Sequence, residues 1–245
     1  MFVSLKDFRI AAVSVVTGDR VIALDDELEA YGGDRARVER LKKATGLAER
    51  VVVSGKQTTV DLAEQAVADL VAAGHLRLDD IDACLFVTQT PDFFQPPNSA
   101  VLHGKLGLSK GVACWDMNLG CSGWVYGVMQ AGTLLQTGAF QKVLLLAGDT
   151  ISRQVDPDDR ATAPLFGDAA SATLLECEPG REFSAVLGTD GVGWDAIQVP
   201  AGAFRKPLAQ AGTVLDAEGN PHGEEFLLMD GAEVFKFSLR EVPAA

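Results

Sequence analysis

The chain has 245 residues, 47% of them hydrophobic and 22% charged, enough for one large domain or two small ones around a substantial core. Its net charge of −13 disfavours delocalised binding to nucleic acid or to an anionic membrane. Cys84, Cys114, Cys121 and Cys177 form no CxxC pair and show no cysteine–histidine ligand spacing, which argues against a disulfide framework and a zinc site.

The N-terminal stretch MFVSLKDFRIAAVSVVTG carries Lys6, Asp7 and Arg9 inside its apolar run, so it reads neither as a signal peptide nor as a spanning helix. No later stretch reaches the ~18 apolar residues that a membrane span needs. A reducing cytoplasm is the expected location. Between Arg35 and Lys56, seven basic residues stand against Glu39 and Glu49. That run suits a solvated helix face or a landing patch for an anionic partner, either a phosphate-bearing cofactor or an acidic protein.

Further along, TTVDLAEQAVADLVAAGHL has apolar residues at 62, 63, 66, 67, 70 and 71, the stripe of a helix. Thr58 and Asp61 make a capping box, and Gly74 a stop. IDACLFVTQT is a nearly continuous apolar run, the pattern of a strand covered on both faces. PPNSAVLHGKLGL predicts a short helix capped by Asn98, GVACWDMN a strand, and SGWVYGVMQAGTLLQTGAF a helix ending near Gly138. KVLLLAGDT and ASATLLECE predict two more buried strands. This alternation is that of a layered α/β domain with a largely parallel sheet. From Val192 to Glu225 the chain is rich in Gly and Pro and predicts a long loop or a poorly ordered excursion. EFLLMDGAEVFKFSLREV then predicts a turn at Asp230–Gly231 and a helix through Val234, Phe235 and Leu239.

The chemistry concentrates in NLGCSGWVYGVMQAG, residues 118–132. Only a thiolate attacks a carbonyl, and the start of a helix favours negative charge on Cys121. Gly120 and Gly123 allow a sharp turn and close approach of a substrate, and N–H groups of the turn can donate to an oxyanion. By itself G-C-S-G leaves two readings open, a nucleophile and a small buried cysteine. Cys84, Cys114 and Cys177 lie in apolar strands and read as core positions.

An ordered series of fragments bears on the choice: TGLAER (45–50), TTVDLAEQA (58–66), VTQTPDFFQPPNSA (87–100), LGL (106–108), CSGWVYG (121–127), DPDDRATAPLFGDAASA (156–172) and MDGAEVF (229–235). Together they resemble the β-ketoacyl-[acyl-carrier-protein] synthase III family of the thiolase superfamily. The resemblance implies an α/β thiolase-like fold, layered αβαβα from two similar halves, usually as a homodimer. It implies residues 1–190 as the N-terminal half carrying the nucleophile, 191–225 as a long Gly/Pro-rich loop, and 226–245 as the start of the second half. It further implies an acyltransferase of cytoplasmic fatty-acid biosynthesis with no tightly bound cofactor. Its substrates would be thioesters of coenzyme A or of the phosphopantetheine on acyl carrier protein. Cys121 would accept the acyl group, and a carbanion from decarboxylation of a malonyl thioester would then attack the acyl-enzyme. Cys121 matches the nucleophile, and Arg160 in DDRAT an arginine that packs on the coenzyme A adenine. Arg50, Phe93 and Phe94 are read as further substrate-binding residues, PDFFQPPN being a segment of dimer interface or acyl-tunnel wall; Phe93 and Phe94 suit plain core packing equally.

Several family features find no match. The histidine and asparagine of the condensation step, and a glycine-rich oxyanion loop, belong to the family's second half. His75, His103 and His222 read as surface or satisfied polar residues. Where many members hold coenzyme A with a tryptophan and an arginine, this chain has Arg40 and Ala44, which favours a carrier-protein donor. The family's GDGAGA reads GDAASA at 167–172. These departures suggest a divergent homologue outside housekeeping fatty-acid synthesis. A non-catalytic half-fold that docks a carrier protein or a second chain is the alternative expectation.

Overall fold

The computed structural model describes residues 1–215 and 221–244. In chain order, the first elements are β1 (Phe2–Thr17), β2 (Arg20–Ala23), α1 (Arg35–Thr45), β3 (Glu49–Val52), α2 (Thr59–Ala72) and β4 (Ala83–Val87). There follow α3 (Asn98–Leu106), β5 (Ala113–Met117), α4 (Gly123–Gln136), β6 (Lys142–Asp149) and β7 (Ala169–Val186). The remainder is β8 (Ile197–Gln198), β9 (Thr213–Leu215), β10 (Pro221–Gly223), β11 (Leu228–Met229) and α5 (Gly231–Glu241). The chain divides into two compact units, one of residues 1–20, 51–150 and 168–187, the other of residues 21–50, 151–167 and 188–245.

The first unit is built on a five-stranded sheet in the order β1-β7-β6-β4-β5. β4 pairs in parallel with both β5 and β6, whereas β7 runs antiparallel to β6 and to β1. The sheet is therefore mixed, rather than the largely parallel one expected. β7 turns back beside β6 without a crossover helix, and β1 pairs along its length. Every residue of β4 is buried, as its unbroken apolar run requires. Alternate side chains go to opposite faces. Cys84, Phe86, Leu144 and Leu146 join the core under α2 and α3. Ala83, Leu85, Val87, Val143 and Leu145 join the core under α4. The result is three layers, helix–sheet–helix, with each large apolar side chain fully buried there stabilising the fold by about 1.5–3 kcal/mol.

The charges within β1 are explained by its partner. Lys6 pairs with Glu182 at 3.1 Å and Arg9 with Glu176 at 2.5 Å across the β1–β7 ladder. Asp7 sits at a register shift with φ +62° and accepts from the Gly180 N–H at 2.8 Å.

Local signals behave as the physical chemistry of helix ends demands. The capping box of α2 forms: the Thr58 N–H donates to Asp61 at 3.0 Å and the Asp61 N–H to Thr58 Oγ1 at 3.4 Å. Gly74, at φ +74°, ends the helix. Asn98 is not a cap, however; it is the first residue of α3, and its side chain accepts from the Asp92 N–H at 2.9 Å. The start of α3 is held by Asp116 of β5 instead, which accepts from the Asn98 and Ser99 N–H groups at 2.6 and 2.9 Å. Asp230 caps α5 through the Glu233 N–H rather than forming a free turn.

In the second unit, the segment expected as one long loop contains short pairings. β8 pairs with β11 and β9 with β10, both antiparallel, with a 3₁₀ turn at Leu208–Gln210. Residues 216–220 of that stretch lie outside the described residues. His222 is buried on β10, with Nδ1 3.7 Å from Asp156, so of the two expectations the surface one fails. Among the described residues no helix is long and apolar enough to cross a membrane.

α4 lies close to the sheet because glycines face it. A Cβ at Gly127 would stand 2.5 Å from Leu145, and one at Gly132 2.7 Å from the Phe8 ring. Gly127→Val is expected to overpack this face and lower stability by about 1–3 kcal/mol. Gly104→Ala, where a Cβ meets nothing, is expected to raise stability by about 0.5–1 kcal/mol. Thermal unfolding followed by circular dichroism checks both; equal melting temperatures for the two variants would contradict this packing.

Candidate functional site

Parallel pairing brings the carboxyl ends of three strands to one edge of the first unit. Val87 of β4 stands in register with Met117 of β5 and with Ala147 of β6. The chain leaving β5 turns through residues 118–122 into α4, the chain leaving β4 bends through residues 88–90, and β6 ends on Asp149. In parallel sheets such carboxyl ends are where functional loops collect.

Cys121 lies on the first of these turns, one residue before the N-cap Ser122, and it is exposed. It is therefore not the small buried cysteine that the local pattern also allowed. The turn is closed by the Gly123 N–H donating to the Gly120 carbonyl at 2.8 Å. Ser122 makes no side-chain capping bond, so α4 presents its positive end, uncapped, next to the thiol. Among the described residues no side chain hydrogen-bonds Cys121.

Two close contacts set the height of this turn. A Cβ on Gly123 would run into Val87 Cγ1, so only glycine lets the first turn of α4 descend onto the end of β4. A Cβ on Gly120 would run into the Gln89 carboxamide. Gln89 is exposed, while its neighbours Thr88 and Thr90 are buried. Neither Gln89 nor Asp149 is singled out by the sequence. The available signal was a buried strand ending on an acid, in LLLAGDT, beside a Thr-x-Thr step in VTQT.

Phe93 and Phe94 follow on the same loop and are 56% and 75% exposed, which excludes plain core packing. Asp92 anchors the loop before them, accepting from the Thr58 hydroxyl at 2.8 Å and the Val60 N–H at 3.3 Å.

Arg50 and Arg160 lie in the second unit and converge on one carboxylate. Arg50 donates a two-pronged bond to Glu27 at 2.7 and 2.8 Å, and Arg160 Nη1 lies 3.8 Å from Glu27 Oε1. Arg160 also reaches Asp158 at 3.4 Å. A planar guanidinium holding a carboxylate in this way suits a phosphate equally. Arg40 is 71% exposed and lies 3.7 Å from Asp34, while Lys42 bonds Asp25 and Glu39. Much of the basic stretch is thus paired with local acids.

Cys84 and Cys114 are direct cross-strand partners on β4 and β5. Cys84 is fully buried and Cys114 only half-buried, so the core reading holds for the first and not fully for the second. A hydrogen bond from the Cys84 thiol brings Cys114 down to about 7; burial opposes this and the nearby His103 assists it. The same bond, with burial, pushes the Cys84 thiol well up.

The fold, with an exposed cysteine at the start of α4, is of the thiolase-like class. Residues 115–191 match the family 3-Oxoacyl-[acyl-carrier-protein (ACP)] synthase III. A Campylobacter jejuni relative is 35% identical over 241 residues, covering 96% of this chain and 67% of its own. The beta-ketoacyl-[acyl-carrier-protein] synthase III of Clostridioides difficile is 35% identical over 205 residues, 83% of this chain and 60% of its own. The crystal structure of a 3-oxoacyl-(acyl-carrier protein) synthase from Burkholderia xenovorans superposes with a TM-score of 0.90 at 35% identity, over 100% of this chain and 68% of that one. The chain belongs to the 3-oxoacyl-[acyl-carrier-protein] synthase III family, and it spans 60 to 67% of the length of the two relatives compared by sequence.

The thiols give a testable pH pattern. Thiolate at Cys114 forms as pH rises through about 7, so its alkylation is expected to increase between pH 6 and 8 while Cys84 stays unlabelled. Peptide mass spectrometry of iodoacetamide-treated Cys121→Ser protein checks this. Labelling of Cys84 at the same rate as Cys114 would contradict it.

Proposed function

We propose that the chain carries the acyl-accepting chemistry of a 3-oxoacyl-[acyl-carrier-protein] synthase III type acyltransferase, with Cys121 as the acceptor. The observation that carries this reading is the exposed thiol on a glycine-flanked turn against the uncapped start of α4. The Cys121 thiolate attacks the carbonyl carbon of an acyl thioester, and negative charge develops on the oxygen. That charge is suited to the N–H groups at the start of α4 other than the Gly123 N–H that closes the turn. The C–S bond to the donor breaks, and coenzyme A or the carrier-protein phosphopantetheine leaves as a thiolate that takes up from solvent the proton Cys121 released there on ionising. An acyl-cysteine thioester remains.

In the second step of the reading, a malonyl thioester loses carbon dioxide and its carbanion attacks the acyl carbon. A carbon–carbon bond forms and the Cys121 sulfur is released. Arg160 and Arg50 are the residues proposed to meet the donor's phosphate groups, in exchange for their bonds to Glu27. Phe93 and Phe94 are proposed to line the acyl chain or to meet a second copy in a homodimer. Acyl carrier protein is the proposed macromolecular partner.

A second reading rests on α5, which buries none of its residues and exposes Phe235, Phe237 and Leu239. Apolar surface of this kind suits a subunit that docks another chain, with Cys121 structural.

Intact-protein mass spectrometry after incubation with acyl-coenzyme A and acyl-carrier-protein donors separates the two. The expected result is a gain of one acyl group on the wild type and none on Cys121→Ser. An unmodified wild type with every donor of both kinds overturns the acceptor role. With malonyl thioester added, the expected observation is a persistent acyl-enzyme, because the histidine and asparagine that the family resemblance implies for the condensation step have no match among the fragments of this chain. Release of a ketoacyl product would contradict that expectation.

A further inference from the structure

Asp149, at the end of β6, collects hydrogen bonds from one short bend. Its Oδ1 accepts from the Gln89 N–H at 2.7 Å, the Thr90 N–H at 3.0 Å, and the Thr88 and Thr90 hydroxyls at 2.9 Å each. The bend is tied from behind as well. The Thr150 N–H donates to Thr90 Oγ1 at 2.9 Å, and the Thr59 hydroxyl lies 3.0 Å from the Thr90 carbonyl and 3.1 Å from Thr150 Oγ1. Thr59, Thr88, Thr90 and Thr150 are all buried, so breaking this network would strand polar groups away from water. The one side chain that the network holds outward is Gln89. Its carboxamide rests against Gly120, the residue that leads into Cys121, at a distance that leaves no room for a Cβ.

None of this supports the sheet itself, whose strands already pair without it. What the arrangement specifies is the place of an exposed amide beside the cysteine. We propose that Asp149 is a positioning residue for Cys121, acting through Gln89: the carboxylate fixes the 88–90 bend, and the Gln89 carboxamide braces the Gly120–Cys121 turn. The proposal deepens the acyl-transfer reading of the same site and rests on it.

The chemistry predicts how variants differ. All four bonds go to one oxygen, Oδ1, so Asp149→Asn keeps an acceptor there while Asp149→Ala removes it. Gly120→Ala would push the carboxamide aside, and Gln89→Ala would remove it, so the two changes act on one contact. Changes at a shared contact are non-additive.

The test measures acylation of Cys121 by an acyl-coenzyme A in single turnover, as a function of donor concentration, together with the pH profile of its alkylation by iodoacetamide. Gln89 is exposed, so Gln89→Ala is expected to keep the wild-type melting temperature. Its maximal acylation rate is expected to fall about tenfold with an unchanged half-saturating concentration, as misplacement of a reacting group implies. Asp149→Ala should show a similar loss and Asp149→Asn most of the wild-type rate. The Gly120→Ala, Gln89→Ala double variant should be no slower than either single one. Wild-type acylation by Gln89→Ala, or losses that multiply in the double variant, would overturn the proposal. Should the wild type accept no acyl group, the acyl-transfer reading fails. The alkylation arm still decides the positioning claim: an altered Cys121 profile in Gln89→Ala and Asp149→Ala supports it, and unaltered profiles overturn it.

Discussion

The parallel register of β4 between β5 and β6 is the constraint on which the rest of the first unit depends. Parallel strands need crossovers, and the crossovers here are helices that cover both faces of the sheet. That burial is why β4 has no polar residue, and why its neighbours on β6 are Val143, Leu144, Leu145 and Leu146, all fully buried. The same register aligns the carboxyl ends of the three strands. In the chain the turn bearing Cys121 lies about thirty residues from both the bend bearing Gln89 and the terminal Asp149, which are themselves 60 residues apart, and the three become neighbours only through that alignment.

The approach of α4 to the sheet is the second determinant. Exposure of Cys121 and burial of the helix behind it are two results of one packing choice. Glycine at 123 lets the helix start against Val87, glycine at 127 lets it pass Leu145, and Trp124 pins its first turn by donating to Thr173 at 3.1 Å. A helix standing higher would leave a gap under its first turn and swing the cysteine away from the strand ends. Small residues on the helix face thus serve the position of a side chain that they never touch.

Charge does different work in the second unit. There a single carboxylate, Glu27, gathers Arg50 and Arg160, residues 110 positions apart in sequence. The acids that balance the basic stretch are near it in the chain, Asp25, Asp34 and Glu39 among them. The chain's overall negative charge therefore says little about any one arginine.

Sequence alone determined those features whose causes are local. The capping box at Thr58–Asp61 is closed within one helical turn, the apolar run of β4 needs no partner to be recognised, and the glycines around Cys121 mark a turn wherever they occur. The turn that carries Cys121 was legible for that reason, whereas the same local pattern left open whether the cysteine is a nucleophile or a small buried residue. Tertiary structure decided whatever depended on residues far along the chain. It made the sheet mixed, because the antiparallel return of β7 is a choice of pairing and not of propensity. It took the cap of α3 from Asp116, eighteen residues from the helix start, instead of from Asn98. It left Phe93 and Phe94 outside the core, half-exposed Cys114 and buried His222. It also set Gln89 and Asp149 beside the cysteine. A hydrogen bond across sixty residues leaves no periodicity for a sequence to display, and only the folded register brings its two ends together.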